Sequence, residues 1–245
     1  MNGAHDFDLV AFGAHPDDVE LSAGGTVALE VSRGRKVALV DLTRGQLGTR
    51  GTVATREAEA AAAGAILGIA HRENLGMEDG WFEVDRAHLL KVVESVRRLR
   101  PRVVLANALE DRHPDHGRGA ELVARACFLA GLLRIETTDR ESGEAQPPWR
   151  PSAVYHYIQD RNRTPDFVVD ITGHEEVKMR AVMAYTTQFH RPEESGAPAT
   201  PISSPEFLEH LRGRMRTIGR PAGFAYAEGF ESSRLIGVTD LFALS

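Results

Sequence analysis

The feature that most constrains this chain is an alternation running through residues 1–133. Short apolar runs of strand length are each followed by a segment of helical period. Phe7 to Gly13 (FDLVAFG), Lys36 to Leu42 (KVALVDL), HRENLG (71–76) and RVVLAN (102–107) read as strands. Residues 23–33 (ended by Gly34), the alanine-rich stretch 53–68, 85–100 (stopped by Pro101) and 115–133 read as helices. This order predicts an α/β fold, a Rossmann-like and mostly parallel sheet with helices on both faces. A polar, proline-containing loop follows at 136–151. Beyond it lie strand-like runs at 152–158 and 166–172, helical segments at 173–189 and 205–219, and a polar loop at 190–204. They read as a C-terminal β/α extension (134–245) on a core (1–133), together one domain over 1–245.

Composition narrows the function. With 245 residues, 42% of them hydrophobic, the chain can bury a sizeable core. Its net charge of −6 gives no electrostatic case for nucleic acid or for an anionic membrane. No run approaches the roughly 18 apolar residues that a membrane helix needs, and the N-terminus has no secretory pattern. The single cysteine, Cys127, sits in an apolar run and reads as a small buried hydrophobe. A chain with one cysteine suits a reducing compartment, so a cytoplasmic location is expected.

Two polar clusters stand directly after strands, where ligands bind in open α/β sheets. The first is His15-Pro16-Asp17-Asp18 and the second is Asp111-Arg112-His113-Pro114-Asp115-His116. His15 and Asp18, like His113 and His116, are three apart, a spacing that lets both side chains face one point at a helix start. Each proline suits a first helical turn. HPDD alone is also good turn chemistry, but two such clusters at strand ends favour a metal site. Two imidazoles and a carboxylate form a catalytic zinc set with a position open for water, whose pKa the metal brings toward about 7. A carboxylate off the metal would serve as general base, and a spare histidine would stabilise an oxyanion or protonate a leaving amine. The other histidines are scattered singly and read as surface or satisfied groups.

These motifs resemble the zinc-dependent N-deacetylases of the LmbE and PIG-L type. AHPDDVE and HPDHG carry the resemblance, with TREAEAAAAGAILG, MAYTTQF and YAEGF extending it over nearly the whole chain. It points to one branch, the bacillithiol-biosynthesis deacetylases acting on N-acetylglucosaminyl malate. The resemblance implies His15, Asp18 and His116 as zinc ligands, with iron(II) or another divalent ion also accommodated. It implies Asp17 as general base, His113 as an imidazolium stabilising the oxyanion, and Asp115 holding the His113 ring. Arg56 and Arg112 would border the substrate, and Arg44 and Arg50, with Arg56, would meet the malate charge. It further implies a small-molecule sugar substrate and a homo-oligomer, frequently a hexamer.

Two alternatives stand beside this reading. A broader de-N-acetylase would act on chitooligosaccharides, a mycothiol-type precursor or another amide conjugate with the same reacting groups. A nucleotide-binding module is disfavoured because the first turn is GAHPDD and lacks the G-x-G-x-x-G spacing.

Overall fold

A computed structural model describes residues 5–189 and 198–244. Strands β1 (Phe7–Gly13), β2 (Val37–Thr43), β3 (His71–Met77) and β4 (Pro101–Ala106) alternate with helices α1 (Asp18–Ser32), α2 (Val53–Leu67) and α3 (Arg86–Leu99). Helix α4 (Pro114–Ala130) then leads to β5 (Ala153–Tyr157). The extension supplies β6 (Phe167–Asp170), α5 (Glu175–Met183), α6 (Pro205–Gly219) and β7 (Ala227–Ser232).

Among the described residues the strands form one sheet in the order β3-β2-β1-β4-β5-β7-β6. The pairs from β3 through β5 are parallel, while β7 runs antiparallel to both β5 and β6. β1 is buried along nearly its whole length and β2 throughout, as parallel strands covered on both faces must be. One apolar layer joins α3 and α4 to the sheet through Val92, Val96, Leu122 and Val123. The opposite layer packs α1, α2, α5 and α6 through Val27, Ala63, Val182 and Leu211. Chain order moves outward from β1 through β2 to β3 in one direction and from β4 to β5 in the other, so β1 and β4 flank the topological switch point.

The structure departs from the sequence expectation in three places. Helix α1 starts at Asp18, five residues before the apolar stretch suggested, because its first turn carries the buried acids Asp18 and Glu20. The helix expected over 173–189 is helical only from Glu175 to Met183. β7 was not anticipated. Its Glu228 and Glu231 are buried charges that hide the strand's alternation. Residues 190–197 of the expected polar loop lie outside the described residues. Cys127 is buried, and burial pushes its thiol up to about 12, as an inert core cysteine requires.

Candidate active site

The two polar clusters become the N-terminal turns of α1 and α4, which reach the switch point from opposite faces of the sheet. They line one cavity of about 330 Å³, together with Leu21, Leu47, Asp79 and Gln159. Its outer wall comes from Phe207, His210, Leu211 and Arg214 on one face of α6.

Asp18 sits at the centre of the first cluster. Its Oδ2 accepts the backbone N–H of His15 at 2.9 Å and lies 3.6 Å from His15 Nδ1, while its Oδ1 is 3.2 Å from His116 Nε2. The other nitrogen of each histidine is held by a further carboxylate: His15 Nε2 by Asp79 at 3.0 Å and His116 Nδ1 by Asp111 at 2.5 Å. Two buried amides fix Asp18 from behind, Asn107 Nδ2 at 2.9 Å and Gln159 Nε2 at 3.2 Å. Burial works against charge on all three groups. The facing opposite charges prevail, holding Asp18 well below the usual carboxylate range and raising His116 to about 9 and His15 well above its ordinary value.

This donor set fits a divalent ion. Donors placed tetrahedrally about 2.0–2.1 Å from one ion lie about 3.3 Å apart, and each histidine stands at about that distance from one oxygen of Asp18, His15 from Oδ2 and His116 from Oδ1. Carboxylates on the outer imidazole nitrogens are the usual support of metal-binding histidines. Two trios of donor atoms lie within 4.8 Å of one another among the described residues, His15–His113–His116 and His15–Asp79–Asp115; both contain His15, the first also contains His116, and neither contains Asp18. In the second, both acids already accept backbone N–H groups, Asp79 from Leu47 and Asp115 from Gly80, each at 2.8 Å. Asp79 Oδ1 also bonds His15 Nε2 at 3.0 Å, and Asp115 Oδ2 stands 3.4 Å from the same nitrogen.

Asp17 differs from its neighbour. It caps α1 at φ 110°, a left-handed conformation that a non-glycine residue adopts only at a cost of about 1–3 kcal/mol. Its Oδ2 accepts from Arg56 Nη2 at 3.1 Å, and the same nitrogen bonds the carbonyl of Pro16. Burial raises Asp17 to about 7 against the pull of Arg56. A carboxyl poised near neutrality suits proton transfer. Gly45, at φ 64°, leaves the room that the Arg56 guanidinium occupies, since a Cβ there would overlap it.

The second cluster corrects one expectation. Asp115 does not hold the ring of His113 through its carboxylate, which bonds Gly80 N–H and Arg118 and approaches His15 Nε2 at 3.4 Å. The helical turn delivers the Asp115 backbone N–H to His113 Nδ1 instead, at 3.3 Å. A neutral His113 ring therefore carries its proton on Nε2. Burial and the neighbouring His15 and His116 lower its pKa, favouring that neutral form over an imidazolium.

The arginines separate too. Arg56 and Arg112 line the cavity, but Arg56 is held on Asp17 and Arg112 pairs with Asp160 at 2.6 Å. Arg44 pairs with Glu57, and neither it nor Arg50 is among the cavity-lining residues. Arg56→Ala is expected to lower kcat by about 10²-fold, as misplacement of a reacting group does. KM should change less. Steady-state kinetics showing the loss in KM alone would return Arg56 to substrate binding.

Fold and site together define an α/β enzyme with a His/Asp centre at the sheet's switch point. A model of the family described as PIG-L, GlcNAc-PI de-N-acetylase, matches residues 10–127. The chain is 30% identical to the diacetylchitobiose deacetylase of Thermococcus kodakarensis, over 88% of this chain and 79% of that protein. It is 28% identical to the 1D-myo-inositol 2-acetamido-2-deoxy-alpha-D-glucopyranoside deacetylase of Kineococcus radiotolerans, over 94% and 81%. A crystal structure of a conserved protein from Thermus thermophilus superposes with a TM-score of 0.82 at 35% identity, covering 95% of this chain and 98% of that one. The chain belongs to the PIG-L family of de-N-acetylases, hydrolases of amide C–N bonds. Among the described residues, no helix is long and apolar enough to cross a membrane.

Proposed function

We propose that the protein removes the acetyl group from an N-acetylglucosamine conjugate, with N-acetylglucosaminyl malate as its substrate and a divalent ion, zinc, as its cofactor. The observation that carries this reading is Asp18, set between two imidazoles whose outer nitrogens each rest on a carboxylate. His15, Asp18 and His116 would hold the ion. A bound ion here supplies Lewis acidity toward the amide carbonyl and lowers the pKa of water toward about 7.

The chain's own groups do the rest. Asp17, held by Arg56, accepts a proton from the attacking water. His113 offers its Nε2–H to the oxygen that gains charge as the C–O bond forms. The C–N bond then breaks, and Asp17 returns its proton to the departing amine, giving acetate and a free glucosamine. Malate recommends itself through the resemblance of the motifs, while chitooligosaccharides and inositol conjugates use the same reacting groups. A homo-oligomer in the cytoplasm belongs to the same proposal, and the exposed Leu235, Leu241 and Phe242 beyond β7 support the assembly.

The test measures deacetylation of N-acetylglucosaminyl malate and of diacetylchitobiose on one sample whose metal content is also determined. About one zinc per chain and a higher kcat/KM for the malyl sugar are expected. Metal-free protein inactive on both would overturn the reading.

A further inference from the structure

The cavity is lined by three arginines, and two of them already rest on carboxylates, Arg56 on Asp17 and Arg112 on Asp160. Arg214 is the third. Its Nη2 is buried and has no hydrogen-bond partner among the described residues. It stands on α6 seven residues after Phe207, with His210 and Leu211 between them on the same cavity-facing side. It also borders a groove running outward past Asn162, Thr164 and Thr217. Arg214 thus occupies the place where the cavity continues away from the His/Asp centre.

Acids lie near it, but each has other partners. Asp111 and Asp160 attract Arg214 without an ion pair. Asp111 takes His116 and, at 2.7 Å, the N–H of Arg161, while Asp160 takes Arg112. Inward from Arg214 lies Glu228, which bonds Lys178 at 2.6 Å and the N–H groups of Gly25 and Thr26. Lys178 adds positive charge next to Arg214 instead of relieving it. A partly buried guanidinium with no carboxylate on it among the described residues is costly, and an oxyanion from outside would remove that cost. The planar fork of arginine matches a carboxylate or a phosphate with two parallel hydrogen bonds.

We propose that Arg214 is a specificity-determining residue that binds an anionic group, carboxylate or phosphate, on the aglycone of the substrate. The role rests on reading the cavity as that of a sugar de-N-acetylase. It assigns the far end of the cavity to an acidic conjugate over a neutral oligosaccharide. It also moves this task away from Arg44, Arg50 and Arg56, to which the motifs had pointed.

The test compares the wild type with Arg214→Gln and Arg214→Lys on N-acetylglucosaminyl malate, N-acetylglucosamine 1-phosphate and neutral diacetylchitobiose. For Arg214→Gln the ratio of kcat/KM on the better anionic substrate to that on the neutral one should fall about 10–100-fold, through KM. Arg214→Lys should recover part of it. The malyl and phosphoryl arms show which oxyanion is read. The melting temperature of Arg214→Gln should hold or rise, since a partly buried cation with no ion pair among the described residues has gone. Calorimetric titration with L-malate and with inorganic phosphate reads the same site without turnover: the wild type should bind one of them and Arg214→Gln should not. An unchanged substrate ratio, or anion binding that survives Arg214→Gln, overturns the assignment. Loss of anion binding in Arg214→Gln, with a wild type that deacetylates none of the sugars, sinks the de-N-acetylase reading and upholds the anion site.

Discussion

Asp17→Asn is expected to keep the metal and lower kcat by about 10²–10⁴-fold, the usual contribution of a general base. Asp18→Asn should instead lose the metal, by more than the roughly 10–100-fold that removal of an outer supporting group costs. The two residues are adjacent, yet the backbone assigns them different surroundings. A left-handed conformation at Asp17 hands its carboxylate to Arg56, while Asp18 enters the helix between His15 and His116. Metal content after dialysis, measured beside turnover, separates the variants. If both retained metal and activity, the division of labour would be wrong. If Asp17→Asn lost its metal, Asp17 would be a ligand.

Lys178→Met is expected to cost about 3–5 kcal/mol, the usual result of stranding one partner of a buried ion pair. In a chain of this length that lowers the melting temperature by about 6–20 °C. Lys178 and Glu228 are both 2% exposed and meet at 2.6 Å. Glu228 is also the acceptor for two backbone N–H groups in the middle of α1, from Gly25 at 2.9 Å and Thr26 at 2.7 Å. The pair therefore fastens β7 and α5 to the helix that carries Asp18. Adding Glu228→Gln to Lys178→Met should recover more than half of the loss, because an amide oxygen still accepts while the stranded charge is gone. Thermal melts of the single and double variants check this. A single variant that melts with the wild type would show the pair to be dispensable.

The core sheet was legible because its strands are short apolar runs and its helices carry amphipathic or alanine-rich patterns with clear stops such as Pro101. The two clusters were legible because each packs its histidines and aspartates within six residues. The groups around them were not. Asp79 lies on the loop after β3, and Gln159 stands 141 residues from the Asp18 oxygen it bonds. A lone Asp, Asn or Gln in sequence looks the same whether it faces water or a buried carboxylate. Asp111 was within the quoted cluster, but its role on His116 depends on a turn that brings residues five apart together. The Asp115 assignment failed for a related reason: helical geometry aims its backbone at His113 and its side chain at His15. Arg214 was hidden because only the folded cavity shows which arginines already have acids.

The cavity is assembled from distant parts of the chain. Residues 15–18 and 111–116 bring the groups proposed to act around the amide, whereas Ile202, Phe207, His210, Leu211 and Arg214 form another part of the wall. If Arg214 reads the aglycone as proposed, reactivity and selectivity are written in separate stretches of the gene. Changes along the cavity-facing side of α6 would then retune what is admitted while the reacting groups stay in place. A fold divided in this way can diversify its menu of substrates by small steps on one helix.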